Sequence, residues 1–287
     1  MNRIHPMNRI LPTTLAMLAL ASSGMAAPDV LAPVSKEAAL RLAEPRVHVS
    51  ADGSSLNYRL YVPKDLKDGE KVPLVLYFHG AAARGSGNKG QVEIQFFRSL
   101  LGWQFTGGEK AILLAPQCPT NGYWAPVAAI RRNRAHPATS FGEKPLEHLG
   151  LALEILDAAL ESLPVDRSRV YVCGNSMGGL ATQGALLWRP GVFAAAIPVC
   201  GCPDPARVAD LDDVPVWIVH GGADHVVGVR GSRDLAAALR ALPGRRSEVR
   251  YTEVPGADHD VWAQAFCHRD FFDWMFAQRR EPGKAIR

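Results

Sequence analysis

Val170-Tyr-Val-Cys-Gly-Asn-Ser-Met-Gly-Gly-Leu180 is a β-branched apolar run that breaks at Gly174 and resumes at Met177 as helix-forming sequence. A strand that turns directly into a helix leaves one residue strained and exposed at the corner, and here that residue is Ser176. Gly174 and Gly178 supply the room, because a Cβ at either place would crowd so tight a turn. A serine at a helix N-terminus also has the Met177 amide beside it, aimed where negative charge would develop on an attacked carbonyl oxygen. The motif therefore points to Ser176 as a nucleophile and to Met177 N–H as an oxyanion donor.

Two later segments follow in the order that such a serine requires, acid and then histidine. Val214-Pro-Val-Trp-Ile-Val-His-Gly-Gly-Ala-Asp224 reads as a buried strand ending in a glycine-rich turn, whose first acidic residue is Asp224. Val249-Arg-Tyr-Thr-Glu-Val-Pro-Gly-Ala-Asp-His259 reads as a strand, a Pro-Gly turn and a histidine on the next loop. Asp224 is the expected orienting carboxylate and His259 the expected general base. Upstream, Val72–Phe78 runs into His79-Gly80-Ala81-Ala82-Ala83-Arg84-Gly85, where Ala81 N–H is the candidate for the second oxyanion donor. Removing one such donor typically costs ~10²–10³ in rate.

Around these motifs strand and helix alternate. Strands are expected at 46–49, 56–61, 72–78, 111–115, 170–173, 194–199, 216–220 and 249–253. Helices are expected at 92–101, 146–162, 177–188, 233–242 and 263–278. The alternation calls for a mostly parallel central sheet of about eight strands, helices on both faces, in a single domain, and with the strand-to-helix corner at Ser176 the expected fold is that of an α/β-hydrolase. All three triad side chains then converge on the carboxyl edge of the sheet.

Met1–Ala26 carries Arg3 and Arg9, no acid, an apolar run over 15–21 and a small-residue end. It reads as a secretory signal peptide cleaved after Ala26, which places the mature chain in the periplasm or outside the cell, without stable membrane insertion. The remaining organisation reads as a leader over 27–45, a catalytic domain over 46–280 and a tail over 281–287. Loss of Arg3 and Arg9 lowers the formal charge from +4 to +2, too little to argue for nucleic acid.

The segments Tyr77–Asn88, Leu114–Pro119, Val165–Gly179 and His259–Trp262 resemble a bacterial esterase family related to dienelactone hydrolase. That family, variously termed phospholipase/carboxylesterase or polyhydroxybutyrate-depolymerase-like, is similar to the feruloyl and acetyl-xylan esterases. The resemblance implies ester hydrolysis through Ser176, Asp224 and His259, with no metal and no organic cofactor; a small or soluble oligomeric ester is the expected substrate. The chain departs from the family in carrying Ala82 where glycine is usual, which bears on how the oxyanion loop sits. Cys118 and Cys200 stand where the family often has cysteine.

Other residues read more blandly. Asp210, Asp212 and Asp213 lie at the wrong end of their strand for catalysis. His220 reads as closing its strand, His225 as an exposed loop residue, and Asp258 as holding the loop of His259. Trp124 and Trp262 follow catalytic-edge strands and are candidates for a substrate pocket, against simple packing under a loop. Arg131, Arg132 and Arg134, in a long insertion over 123–144, could face an anionic substrate or solvent. Five cysteines cannot all pair. Cys173 is expected as a buried free thiol, and a Cys202–Cys267 bridge is one open pairing. Two rivals share the motifs: a serine peptidase of the prolyl-oligopeptidase kind, whose β-propeller gate this length does not accommodate, and a polyhydroxyalkanoate-oligomer depolymerase. A catalytically dead binding module is disfavoured because no triad member is missing.

Overall fold

The computed structural model describes residues 30–126, 140–201, 204–211 and 213–280. Its eight strands are β1 (Glu44–Val49), β2 (Ser55–Tyr61), β3 (Val72–Phe78), β4 (Ile112–Gln117), β5 (Val165–Asn175), β6 (Ala195–Val199), β7 (Val216–Gly221) and β8 (Val249–Val254). They form one sheet in the order β1-β2-β4-β3-β5-β6-β7-β8. The first two junctions, β1 to β2 and β2 to β4, are antiparallel and the rest are parallel. Every residue of β3, β4, β6 and β7 is buried, the mark of strands covered on both faces.

The helices are α1 (Lys36–Leu42), α2 (Gly90–Glu93), α3 (Gln95–Phe105), α4 (Glu147–Ser162), α5 (Met177–Trp188), α6 (Arg230–Ala241), α7 (Trp262–Ala265) and α8 (Arg269–Ala277). Successive side chains of a strand point to opposite faces. Leu74, Leu76 and Phe78 accordingly share a core with Leu149, Leu153, Ala181 and Leu235 of α4, α5 and α6. Val75 and Tyr77 share the other core with Ala39, Phe97, Leu100 and Met275 of α1, α3 and α8. On that face Phe96 lies against Phe266, Phe271 and Phe272, and Trp103 against Phe276, a packed aromatic layer. Among the described residues no helix is long and apolar enough to cross a membrane.

Four expectations change. Residues 30–45 are integral to the domain rather than a leader. Leu31, Ala39 and Ala43 are buried, and the buried Arg59 guanidinium donates to Leu40 O (2.9 Å), Ala43 O and Asn88 O (both 2.6 Å). The expected helix over 263–278 is two, α7 and α8, because Leu31 N–H donates to Cys267 O at 2.7 Å while Val30 bridges to His268. The expected helix from Val92 likewise divides at Ile94, whose backbone is extended. The proposed signal segment, the tail over 281–287, Cys202, Arg131, Arg132 and Arg134 lie outside the described residues. Cys267 is a free thiol, donating to Ala263 O at 2.7 Å, so it forms no bridge with Cys202.

Candidate active site

At the carboxyl end of β5 the chain reaches Ser176 with φ 55° and ψ −120°, a left-handed, strained conformation for a residue with a side chain. The strain is held by the surroundings: Ser176 N–H donates to Val199 O at 2.8 Å, and α5 begins at Met177. The glycine requirement is steric. A Cβ at Gly178 would sit 1.9 Å from Phe78 O, and one at Gly174 would sit 2.3 Å from Gly178 O.

The Ser176 hydroxyl lies 2.8 Å from His259 Nε2, and His259 Nδ1 lies 2.7 Å from Asp224 Oδ2. The imidazole is 15% exposed and the carboxylate wholly buried. Each acceptor site of that carboxylate has a donor. Oδ1 accepts from Val226 N–H (2.8 Å) and Val227 N–H (2.7 Å). Oδ2 accepts from His259 Nδ1–H and, at 3.1 Å, from His220 Nε2. Burial pushes the Asp224 carboxyl up, but the hydrogen bonds from His220, His259 and Val227 outweigh it and hold the group well below the usual carboxylate range. The adjacent Asp258 does hold the loop, accepting from His259 N–H (2.7 Å) and His225 N–H (2.9 Å), with the exposed His225 ring beside it. Asp213 accepts from Ser247 N–H at the far end of β7, remote from the triad.

The second loop approaches the serine closely, since a Cβ on Gly80 would lie 3.4 Å from Ser176 Cβ. Ala81, the next residue, is exposed and opens a single 3₁₀ turn over Ala81–Ala83. Met177 is the first residue of α5, where an amide has no acceptor within its own helix. Ala81 and Met177 thus stand one residue beyond Gly80 and Ser176, the two positions that approach each other. Beneath them His79 is fully buried: Nδ1–H donates to Gly80 O at 2.7 Å and Nε2 accepts from Cys118 N–H at 3.0 Å. Burial pushes the His79 imidazole down to about 4, keeping it neutral and able to act as both donor and acceptor.

Trp124 is not a pocket residue. It is fully buried, donates from Nε1 to His79 O at 3.1 Å and packs edgewise on Phe78 and His79, so it supports the turn after β3. Trp262 is half-buried and stands edge-on to His259, ring centres 5.0 Å apart. Sequence reading missed the roles of His79 and His220; each stands at the carboxyl end of a central strand just before a glycine, a signal open to a structural reading as well. Among the described residues Cys200, Asp224 and His259 offer three metal-ligand atoms within 4.8 Å, but the carboxylate and imidazole are bonded to each other and burial pushes the thiol up, which opposes thiolate binding.

Sheet order and the elbow at Ser176 are those of the α/β-hydrolase fold, and the chain has that fold. The signature of the prolyl oligopeptidase family matches residues 152–213, the stretch holding the elbow. A thermostable esterase of known structure is similar over 85% of this chain at 32% identity, TM-score 0.73, and this chain spans 64% of that one. A ferulic acid esterase from Anaeromyces mucronatus shares the fold at 16% identity, TM-score 0.57, over 82% of this chain and 90% of its own. An acylaminoacyl peptidase from Pyrococcus horikoshii does so at 17% identity, TM-score 0.57, over 86% of this chain and 44% of its own. No curated protein matches the chain in sequence.

Proposed function

We propose that this protein is a serine carboxylesterase, exported through the segment Met1–Ala26 and acting in the periplasm or outside the cell on small or soluble oligomeric esters. The observation that carries the reading is the continuous path from Ser176 Oγ through His259 to the buried Asp224, 2.8 and 2.7 Å per step. His259 Nε2 takes the hydroxyl proton as Oγ attacks the ester carbonyl, and Asp224 holds the ring in the tautomer that leaves Nε2 free to accept it. The amides of Met177 and Ala81 stabilise the tetrahedral oxyanion, each ordered before the charge develops. Collapse expels the alcohol with the proton returned by His259; water then attacks the acyl-enzyme by the same route. No step calls for a metal or an organic cofactor. Kinship to the dienelactone-hydrolase branch, and Trp262 beside the base as a wall of the acyl or alcohol pocket, are parts of the same proposal.

A fluorophosphonate should label Ser176, and Ser176→Ala should lose ~10⁴–10⁶ in kcat with its fold intact. Labelling elsewhere, or an active variant, refutes the assignment. The prolyl oligopeptidase match favours one second reading, a peptidase. A panel of p-nitrophenyl esters, methyl ferulate, acetylated xylan, hydroxybutyrate oligomers and aminoacyl p-nitroanilides separates the two: faster turnover of the anilides than of the esters would replace the esterase reading. An amino terminus at Ala27 in protein recovered from outside the cytoplasm supports export; an intact Met1 there opposes cleavage.

A further inference from the structure

His220 is a fully buried histidine that the proposed chemistry does not use, and every polar atom of its ring is engaged. Its Nε2 faces two acceptors, Asp224 Oδ2 at 3.1 Å and Val227 O at 2.9 Å. Two acceptors can face one nitrogen only if that nitrogen carries the proton, so Nε2 is protonated, and in the neutral ring this is the Nε2–H tautomer. Nδ1 of that tautomer is the acceptor, and the Ser232 hydroxyl on α6, 2.7 Å from Nδ1 and 3.5 Å from Gly201 O, donates its proton to the nearer of the two. Val227 is held from both sides, its N–H on Asp224 and its C=O on His220. The loop carrying the acid is thus closed by one ring whose proton position is fixed by a serine on a different element.

We propose that His220, kept in this tautomer by Ser232, is a positioning residue for Asp224. Its N–H takes one lone pair of the oxygen that also receives His259, which fixes the plane of the carboxylate and keeps it ionised towards the base. The inference rests on the reading of Ser176, His259 and Asp224 as the catalytic triad.

The test separates a donor from mere bulk. His220→Leu fills much of the space without a donor; His220→Gln places an amide N–H the same number of bonds from the backbone as Nε2. With a p-nitrophenyl ester, His220→Leu should lower kcat about 10- to 100-fold with KM nearly unchanged, the range expected for losing a hydrogen bond to a charged group. His220→Gln should recover most of that loss. Ser232→Ala, which deletes a hydroxyl and no bulk from the acid loop itself, should lower kcat roughly 3- to 10-fold, again with KM unchanged. The inference is overturned by His220→Leu at wild-type kcat, by His220→Gln no better than His220→Leu, or by Ser232→Ala at wild-type kcat. Should His220→Leu not fold, the other two variants decide. Wild-type labelling of Ser176 tells the two failures apart. Without it the triad reading falls; with it, and with the outcomes just named, only the role of His220 does.

Discussion

Asp224→Asn is the substitution whose outcome the structure constrains most tightly. The carboxylate meets four donors, two backbone amides on Oδ1 and two imidazole N–H groups on Oδ2. An asparagine has one acceptor oxygen and one NH₂. With its oxygen kept on Val226 and Val227, the NH₂ confronts His259 Nδ1–H and His220 Nε2–H; with the amide flipped, it confronts the two backbone amides. Either orientation sets donors against donors in a site without solvent. The cheapest relief is for His259 to move its proton to Nε2, which then points N–H at Ser176 and can no longer accept the hydroxyl proton. The expected loss is ~10⁴ in kcat, about 5.4 kcal/mol of barrier at ~1.36 kcal/mol per decade, with little change in KM. Asp258→Asn removes a loop contact and no tautomer control, so it should cost less than about tenfold, the value of one or two hydrogen bonds. The assay is steady-state hydrolysis of a p-nitrophenyl ester by the two variants, with thermal unfolding to show that both are folded. A folded Asp224→Asn within tenfold of wild type, or Asp258→Asn as the more damaged of the two, would refute the reasoning.

Stability should fall in mild acid. His79 is pushed down to about 4 in the folded protein and returns to ~6.5 when unfolded, so the unfolded chain binds the extra proton between those values. The stabilisation is complete above pH ~6.5 and is lost as pH falls towards 4, up to about 3 kcal/mol. Measured by urea denaturation, the stability gap between wild type and His79→Asn should narrow by that order from pH 7 to 4; a gap independent of pH would refute the assignment of His79 as neutral. Cysteine chemistry gives a second check. Among the described residues Cys118, Cys173, Cys200 and Cys267 are free thiols. All five thiols should react with a thiol reagent in the unfolded, unreduced protein, and a reductant should leave the melting temperature unchanged.

What could be read from the sequence was what local sterics dictate. Glycines at 174 and 178 announce the elbow because nothing else fits there, and all eight strands follow from short apolar runs, with ends mostly displaced by a residue or two. The order of Ser176, Asp224 and His259 could be read for the same reason, each side chain following a strand. What escaped depends on partners distant in sequence. Helix α1 carries its own signals, the Ser35 hydroxyl accepting from Ala38 N–H at 3.1 Å, Glu37 in the first turn and Arg41 in the last. Its place in the domain, however, is set by Arg59 on β2, which satisfies the carbonyls at its end. The break between α7 and α8 is likewise decided by Val30 and Leu31, over two hundred residues earlier. For Trp124 two roles stayed open in the sequence, because the indole could serve a pocket or a loop until its N–H was seen to end on His79 O.

The pairing of Val30 and Leu31 with Cys267 and His268 joins the two ends of the domain. A chain made from its amino end cannot form that contact until residue 268 has emerged from the ribosome. Until then Val30 and Leu31 lack their partners, although α1 can already dock on β2 and α3, and closing so long a loop is entropically slow. Completion of the fold is therefore a late event that follows synthesis of nearly the whole domain.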